Sequence, residues 1–143
     1  MNWKWHHPWW THLPALACVA FNAAMLWAAH PPARVPVHFG WNGQANRWGS
    51  PVEIWIALVG VPLAAVLGWV ALDEAYARYE ERKRFNWLAL LDEALVGFFA
   101  GLAMGVIPQL SSPQPVLVGF WPWSLVFMAG AVLAAAVLEW LSA

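Results

Sequence analysis

Two sets of residues in this 143-residue chain have types and spacings that could do chemistry. The first is the adjacent acid pair Asp92 and Glu93, set inside the apolar run WLALLDEALVGFFAGLAMGVI. Carboxylates at membrane depth are costly and commonly hold protons or cations. The second is the histidines His6, His7, His12, His30 and His38, all of which precede residue 39. Imidazole can ligate a metal, haem or pigment, or carry a proton. Neither set completes a recognisable signature. His6-His7 lacks an HExxH or comparable companion, and the chain has no P-loop, GxGxxG or GxSxG. Cys18, a lone cysteine, can form neither an internal disulfide nor a CxxC site. His12 and His30 are 18 residues, or five helical turns, apart, so they share one helix face at opposite ends. With no histidine further along to complete a bis-histidine haem, both read as interfacial residues. The expectation is a protein without catalytic residues, without a metal and without a cofactor.

The elements that carry these residues follow from composition. Apolar residues make up 62% of the chain and charged residues 10%, against roughly 25% charged in a soluble domain. So few charges cannot cover a water-exposed surface, which makes the lipid bilayer the expected solvent. A net charge of −1 with seven basic residues leaves no phosphate-tracking stripe and excludes a nucleic-acid partner. A helix needs about 20 apolar residues to cross the hydrocarbon, and four stretches qualify: about 11–29, 52–72, 87–107 and 119–141. Lys4, Arg78, Arg82, Lys83 and Arg84 fall at the N-terminus and in the middle connection, whereas only Arg34 and Arg47 fall in the first loop. The positive-inside rule then puts both termini in the cytoplasm. Tryptophan supports the same map. Trp3, Trp5, Trp9, Trp10, Trp69, Trp87 and Trp140 lie at inner ends of spans, and Trp27, Trp41, Trp48, Trp55, Trp121 and Trp123 at outer ends, as two interfacial belts. The fold class is an all-α membrane protein. A single domain, residues 1–143, forms a four-transmembrane-helix bundle, N-in and C-in, in a bacterial cytoplasmic (inner) membrane.

Polar and small residues inside the spans say how the helices meet. Asn22, mid-span, needs a hydrogen-bond partner on another helix. Gly97, Gly101 and Gly105 recur every four residues and form a ridge for close helix contact, for which Gly130 and Ala134 of the fourth span offer a matching small face. Pro62 is expected to kink the second span. For Asp92 and Glu93 the cheaper reading starts the third span near Ala94. Asp73–Glu93 then lies amphipathically on the inner surface and both acids are wet. The alternative turns one acid into the bundle as a proton or cation site.

The remaining polar stretch, residues 30–51, reads HPPARVPVHFGWNGQANRWGSP. Pro31, Pro32 and Pro36 stiffen its start, Asn42-Gly43 is a turn signal, and Val35, Val37 and Phe39 alternate as in an extended segment. Ser50-Pro51 followed by Glu53 starts the next helix. An ordered cap over the outer mouth of the bundle is expected, plausibly a small hairpin.

Pro32, Val35, Pro36, His38, Phe39, Gly43, Asn46, Trp48, Gly49 and Ser50 fall in the order of a known motif. It runs roughly Leu-Pro-x-x-Ile/Val-Pro-x-His-Phe, then Gly, then Asp/Asn, an aromatic, Gly/Ser, Ser and Lys. The stretch resembles the family described as domain of unknown function 1648, found in SdpI-type bacterial membrane proteins. The chain departs from it at Pro31, where Leu is usual, at Asn46, where Asp is frequent, and at Pro51, where Lys is frequent. Retention of His38 beside the lost acid favours a hydrogen-bonding role in the cap over a metal-binding or catalytic one. The resemblance implies an immunity- or sensor-type membrane protein, although SdpI-type immunity proteins carry further spans.

Three functions follow as expectations. In the first, the cap binds a peptide or another membrane protein through His38, Phe39, Asn42, Asn46, Arg47 and Trp48. In the second, the chain is an accessory structural subunit of a larger membrane complex, with or without pigment or haem. In the third, Asp92 or Glu93 and the Pro62 kink serve a proton- or ion-coupled transporter.

Overall fold

The computed structural model describes residues 9–77, 87–117 and 119–142. Arg78, Arg82 and Arg84 of the middle connection, together with Lys83, Lys4, His6, His7, Trp3 and Trp5, lie outside the described residues. A 3₁₀ turn, Trp9–His12, runs into α1 (Leu13–Ala29). The chain then forms β1 (Val35–Phe39) and β2 (Ala45–Gly49). A long rod follows: α2 (Pro51–Trp55), a π turn (Ile56–Gly60) and α3 (Val61–Ala77). Two more helices complete the fold, α4 (Trp87–Val106), closed by a 3₁₀ turn, and α5 (Phe120–Ser142). Four helical segments are long and apolar enough to cross a membrane: Trp10–Ala29, Pro51–Leu72, Leu90–Gln109 and Phe120–Leu141. They coincide with the expected spans to within three residues at every boundary. The protein is a multi-pass, four-helix membrane protein.

Large apolar side chains point outward along the rods, among them Ile56, Leu67, Leu125 and Leu133. This is the arrangement expected when the surroundings are lipid rather than water. α4 is the central helix and touches α1, α3 and α5. Its glycine ridge meets α5 at backbone distance. A methyl group on Gly97 would lie 2.7 Å from the Phe127 carbonyl oxygen and 2.8 Å from Met128 Cα, and one on Gly101 would overlap the Ser124 backbone. Close approach of this kind replaces the hydrophobic drive that lipid removes. Ser124, fully buried, adds an O–H bond to the Phe98 carbonyl at 3.4 Å.

The partner face on α5 differs from the expected one. Gly130 and Ala134 are exposed, and nothing lies within 4 Å of a Cβ on Gly130. The buried face of α5 instead runs through Ser124, Ala131 and Ala135. These positions differ by 7 and 4 residues, helical spacings that place Gly130 on the opposite side.

Asn22 joins three helices. Its Nδ2 donates to the Leu58 carbonyl at 2.8 Å and to the Phe99 carbonyl at 3.3 Å. The first acceptor is the one that Pro62 leaves without its usual partner. Proline has no N–H to return to the carbonyl four residues back, and four residues before Pro62 is Leu58. The expected disturbance at Pro62 takes the form of the wide π turn just before it, in which the Val61 N–H reaches Ile56 O. Above Asn22 lies one apolar cluster, containing Leu26, Val35, Ile54, Leu58, Val106 and Leu110. Below it lies another, containing Ala15, Cys18, Val19, Val66, Val96 and Ala131.

Candidate functional site

The cap between α1 and α2 is built from turn chemistry. α1 stops at His30, which adopts φ +44°, because Pro31 and Pro32 cannot continue the helix. β1 and β2 pair antiparallel, with Val35 opposite Gly49 and Phe39 opposite Ala45, and the register shifts on either side of His38. Val35 is fully buried, and Val37 and Phe39 pack on the outer apolar cluster. The hairpin therefore sits on the bundle by Val35, Val37 and Phe39, with Pro36 also fully buried.

At the tip, the Gly40 N–H bonds Gln44 O at 2.8 Å, and Asn42 Oδ1 accepts from the Gln44 N–H at 3.1 Å. Gly43 adopts φ +77°, which a side chain would resist. Its carbonyl accepts from the Leu117 N–H at 2.7 Å, and the Ala45 N–H donates to Pro115 O at 3.2 Å. Gln44 and Val116 form an antiparallel bridge, and Gln109 Oε1 accepts from the Val116 N–H at 3.1 Å. The loop between α4 and α5 thus adds a third, short strand-like segment to the hairpin tip. Sequence reasoning had no signal for this clasp, because residues 115–117 carry no turn or strand pattern of their own.

The side chains singled out from the sequence divide into two groups. His38, Asn42, Asn46, Arg47 and Trp48 are exposed on the cap, whereas Phe39 is half-buried and works as an anchor. His38 Nδ1 and Asn46 Oδ1 lie 2.5 Å apart. The amide oxygen accepts only, so the imidazole carries its proton on Nδ1 in this pair. Arg47 pairs with Glu53 Oε2 at 2.8 Å, and the other oxygen of Glu53 accepts from the Ser50 N–H that opens α2. Arg34 lies 5.9 Å from the centroid of the Trp48 ring. Trp41, counted from the sequence as a belt residue, stands fully exposed at the hairpin tip.

At the other end of the bundle the structure corrects the wet reading of the acids. Asp92 and Glu93 are 5% and 1% exposed, and α4 already begins at Trp87. At least five residues of helix precede Asp92, so the acids stand at least about 7.5 Å along α4. They face His12, which is 2% exposed and whose Nδ1 lies 3.7 Å from Asp92 Oδ2. His12 was read as interfacial because it stands at the end of the first span, with no second histidine to complete a ligand pair. Its actual neighbour is 80 positions away and becomes visible only once α1 and α4 are placed side by side at the same level.

Residues 13–61 match the family model described as "Domain of unknown function (DUF1648)". The likeness to that family covers 49 of the 143 residues. The matched segment spans α1, the whole hairpin, α2 and the π turn, and stops one residue before Pro62. It holds the loop residues on which the resemblance rested, together with Asn22, and excludes the glycine ridge and both buried acids. Comparison with curated proteins and with solved structures gives no match.

Proposed function

We propose that this protein is a binding component of a bacterial cytoplasmic membrane, SdpI-like in its cap. In this reading it recognises a peptide or another membrane protein from outside and acts without catalysis. The observation that carries the reading is the construction of the cap. The cap is fixed to the bundle by Val35, Val37 and Phe39 and clasped by the loop between α4 and α5. It presents Trp41, Trp48, Asn42 and Arg47 on its exposed side. Rigid aromatic and arginine side chains on a pre-formed surface lose little freedom on binding and are favoured at recognition sites. A segment that only joined two spans would need none of these ties.

Site-specific photocrosslinking in intact cells tests it. A photoreactive amino acid at position 41 is expected to give a discrete adduct that the same group at Leu67, on the lipid-facing side of α3, does not give. Equal labelling from both positions, or none from position 41, would sink the proposal. The proposed orientation is read separately. In a Cys18→Ser background, a cysteine at Asn42 should react with an impermeant thiol reagent from outside the cell.

A further inference from the structure

We propose that His12, Asp92 and Glu93 form a binding site for one divalent transition-metal ion, at the end of the bundle opposite the cap. Each of the three offers a ligand atom, and these atoms lie within 4.8 Å of one another. Donors held about 2.1 Å from a common ion sit roughly 3–4 Å apart. The His12–Asp92 separation of 3.7 Å is already in that range, so small side-chain rotations close the rest.

Three of the four carboxylate oxygens in this cluster are buried without a hydrogen-bond partner among the described residues. Glu93 is 1% exposed, and neither of its oxygens has a hydrogen-bond partner among the described residues; the same holds for Asp92 Oδ2. The Ala15 amide, in the first turn of α1, faces Glu93 without closing a well-formed hydrogen bond. A buried carboxylate without hydrogen bonds or a counter-charge is among the most costly groups a fold can contain. The described basic side chains, Arg34 and Arg47, are both at the far end, in the cap.

Charge and donor type narrow the occupant. Two carboxylates and a neutral imidazole carry two negative charges, which one divalent cation balances in apolar surroundings. An imidazole nitrogen beside two carboxylate oxygens suits borderline ions such as Zn²⁺, Mn²⁺ or Fe²⁺. It is a poor match for Ca²⁺ or Mg²⁺, which prefer all-oxygen shells, and it lacks the sulfur that Cu⁺ favours. Three protein donors leave a coordination position for water. The two acids stand out in the sequence as a possible cation site, but His12, 80 positions earlier, joins them only through the packing of α1 against α4.

The test uses the full chain, purified in mild detergent through a tag free of histidine, stripped with a chelator and titrated with Zn²⁺. One Zn²⁺ per chain should be retained after desalting, and thermal unfolding should shift upward on reloading. X-ray absorption of the bound ion should report one imidazole and oxygen neighbours, which requires no variant. Glu93→Gln and Asp92→Asn should each bind about 10-fold more weakly or worse, whereas His6→Ala/His7→Ala and His38→Ala should bind as the parent does. Retention of Zn²⁺ in the acid variants, or its loss with His6 and His7, would place the ion elsewhere and overturn the proposal. Absence of Zn²⁺ uptake by the parent, with Glu93→Gln more heat-stable than the parent, would show that the acids are held by a proton, and would overturn it equally.

Discussion

The Asn22–Leu58–Pro62 arrangement allows a quantitative prediction that isolates one interaction. Asn22 donates 2.8 Å to the carbonyl that Pro62 leaves bare. Replacing Asn22 by Leu, close in size, removes that bond and the longer one to Phe99. Hydrogen bonds between membrane helices average about 0.6 kcal/mol each, and an orphaned buried carbonyl costs about 1–3 kcal/mol. The single substitution also removes Asn22 Oδ1, itself buried and unpartnered among the described residues, so its net effect is a difference of comparable terms. A double-mutant cycle cancels that contribution. In a Pro62→Ala background, residue 62 has an N–H to give Leu58 O. The substitution Asn22→Leu should then be less damaging than in the parent, by about 1 kcal/mol, or roughly a fivefold change in the unfolding equilibrium. The assay is reversible unfolding in mixed micelles for the parent, both single variants and the double variant. Coupling below about 0.3 kcal/mol, the scatter expected of independent sites, would refute the claim that Asn22 substitutes for the missing proline N–H.

Two further substitutions test the contacts on which the fold rests. Gly101→Ala should destabilise the protein by about 1–3 kcal/mol, because the new methyl group meets Ser124 backbone that cannot swing aside. Gly130→Ala, facing open space, should be neutral or stabilising by up to about 1 kcal/mol through helix propensity; unfolding in the same micelles distinguishes the two. Gly43→Ala should open the clasp between the outer loops, because φ +77° is strained for alanine and its methyl group would lie 2.9 Å from Leu117 O. Hydrogen exchange at the Leu117 amide, bonded to Gly43 O, should rise sharply while exchange in α4 is unchanged.

The four spans were legible because membrane depth imposes a length and a composition on each crossing, and the chain meets both without ambiguity. The cap's hairpin was legible from Asn42-Gly43 and the alternation of Val35, Val37 and Phe39, since turn chemistry is local. A ridge of glycines every four residues likewise announces close contact. What it touches is not local: Gly130 and Ala134 look like the partner in the sequence, yet the phase of α5 is set by Ser124, Ala131 and Ala135. The placement of Asp92 and Glu93 failed for a related reason. Judged by its own segment, an acid pair at a helix end is cheaper in water. The histidine that faces the pair comes from the start of a different helix, and no local pattern joins the two.

The segment shared with the DUF1648 family is not a self-contained unit in this protein. Of the buried residues in the outer apolar cluster, Leu26, Val35, Ile54 and Leu58 come from residues 13–61, and Ala103, Val106, Ile107 and Leu110 come from α4 and its end. The second bond of Asn22 goes to Phe99, and the hairpin tip is held by residues 115–117. α4 in turn is locked to α5 along the glycine ridge. Two helices and a hairpin alone would leave the Val35 face of the cap without a floor and Gly43 O without its Leu117 donor. The matched segment supplies the cap surface, and the unmatched half supplies the wall against which that surface is held. Asp92 and Glu93 lie on the same wall, at its opposite end, reached from the matched segment's side by His12. One rigid helix, α4, therefore supports both the cap and the buried acids, so a change in its position relative to α1 would be felt at both ends of the bundle.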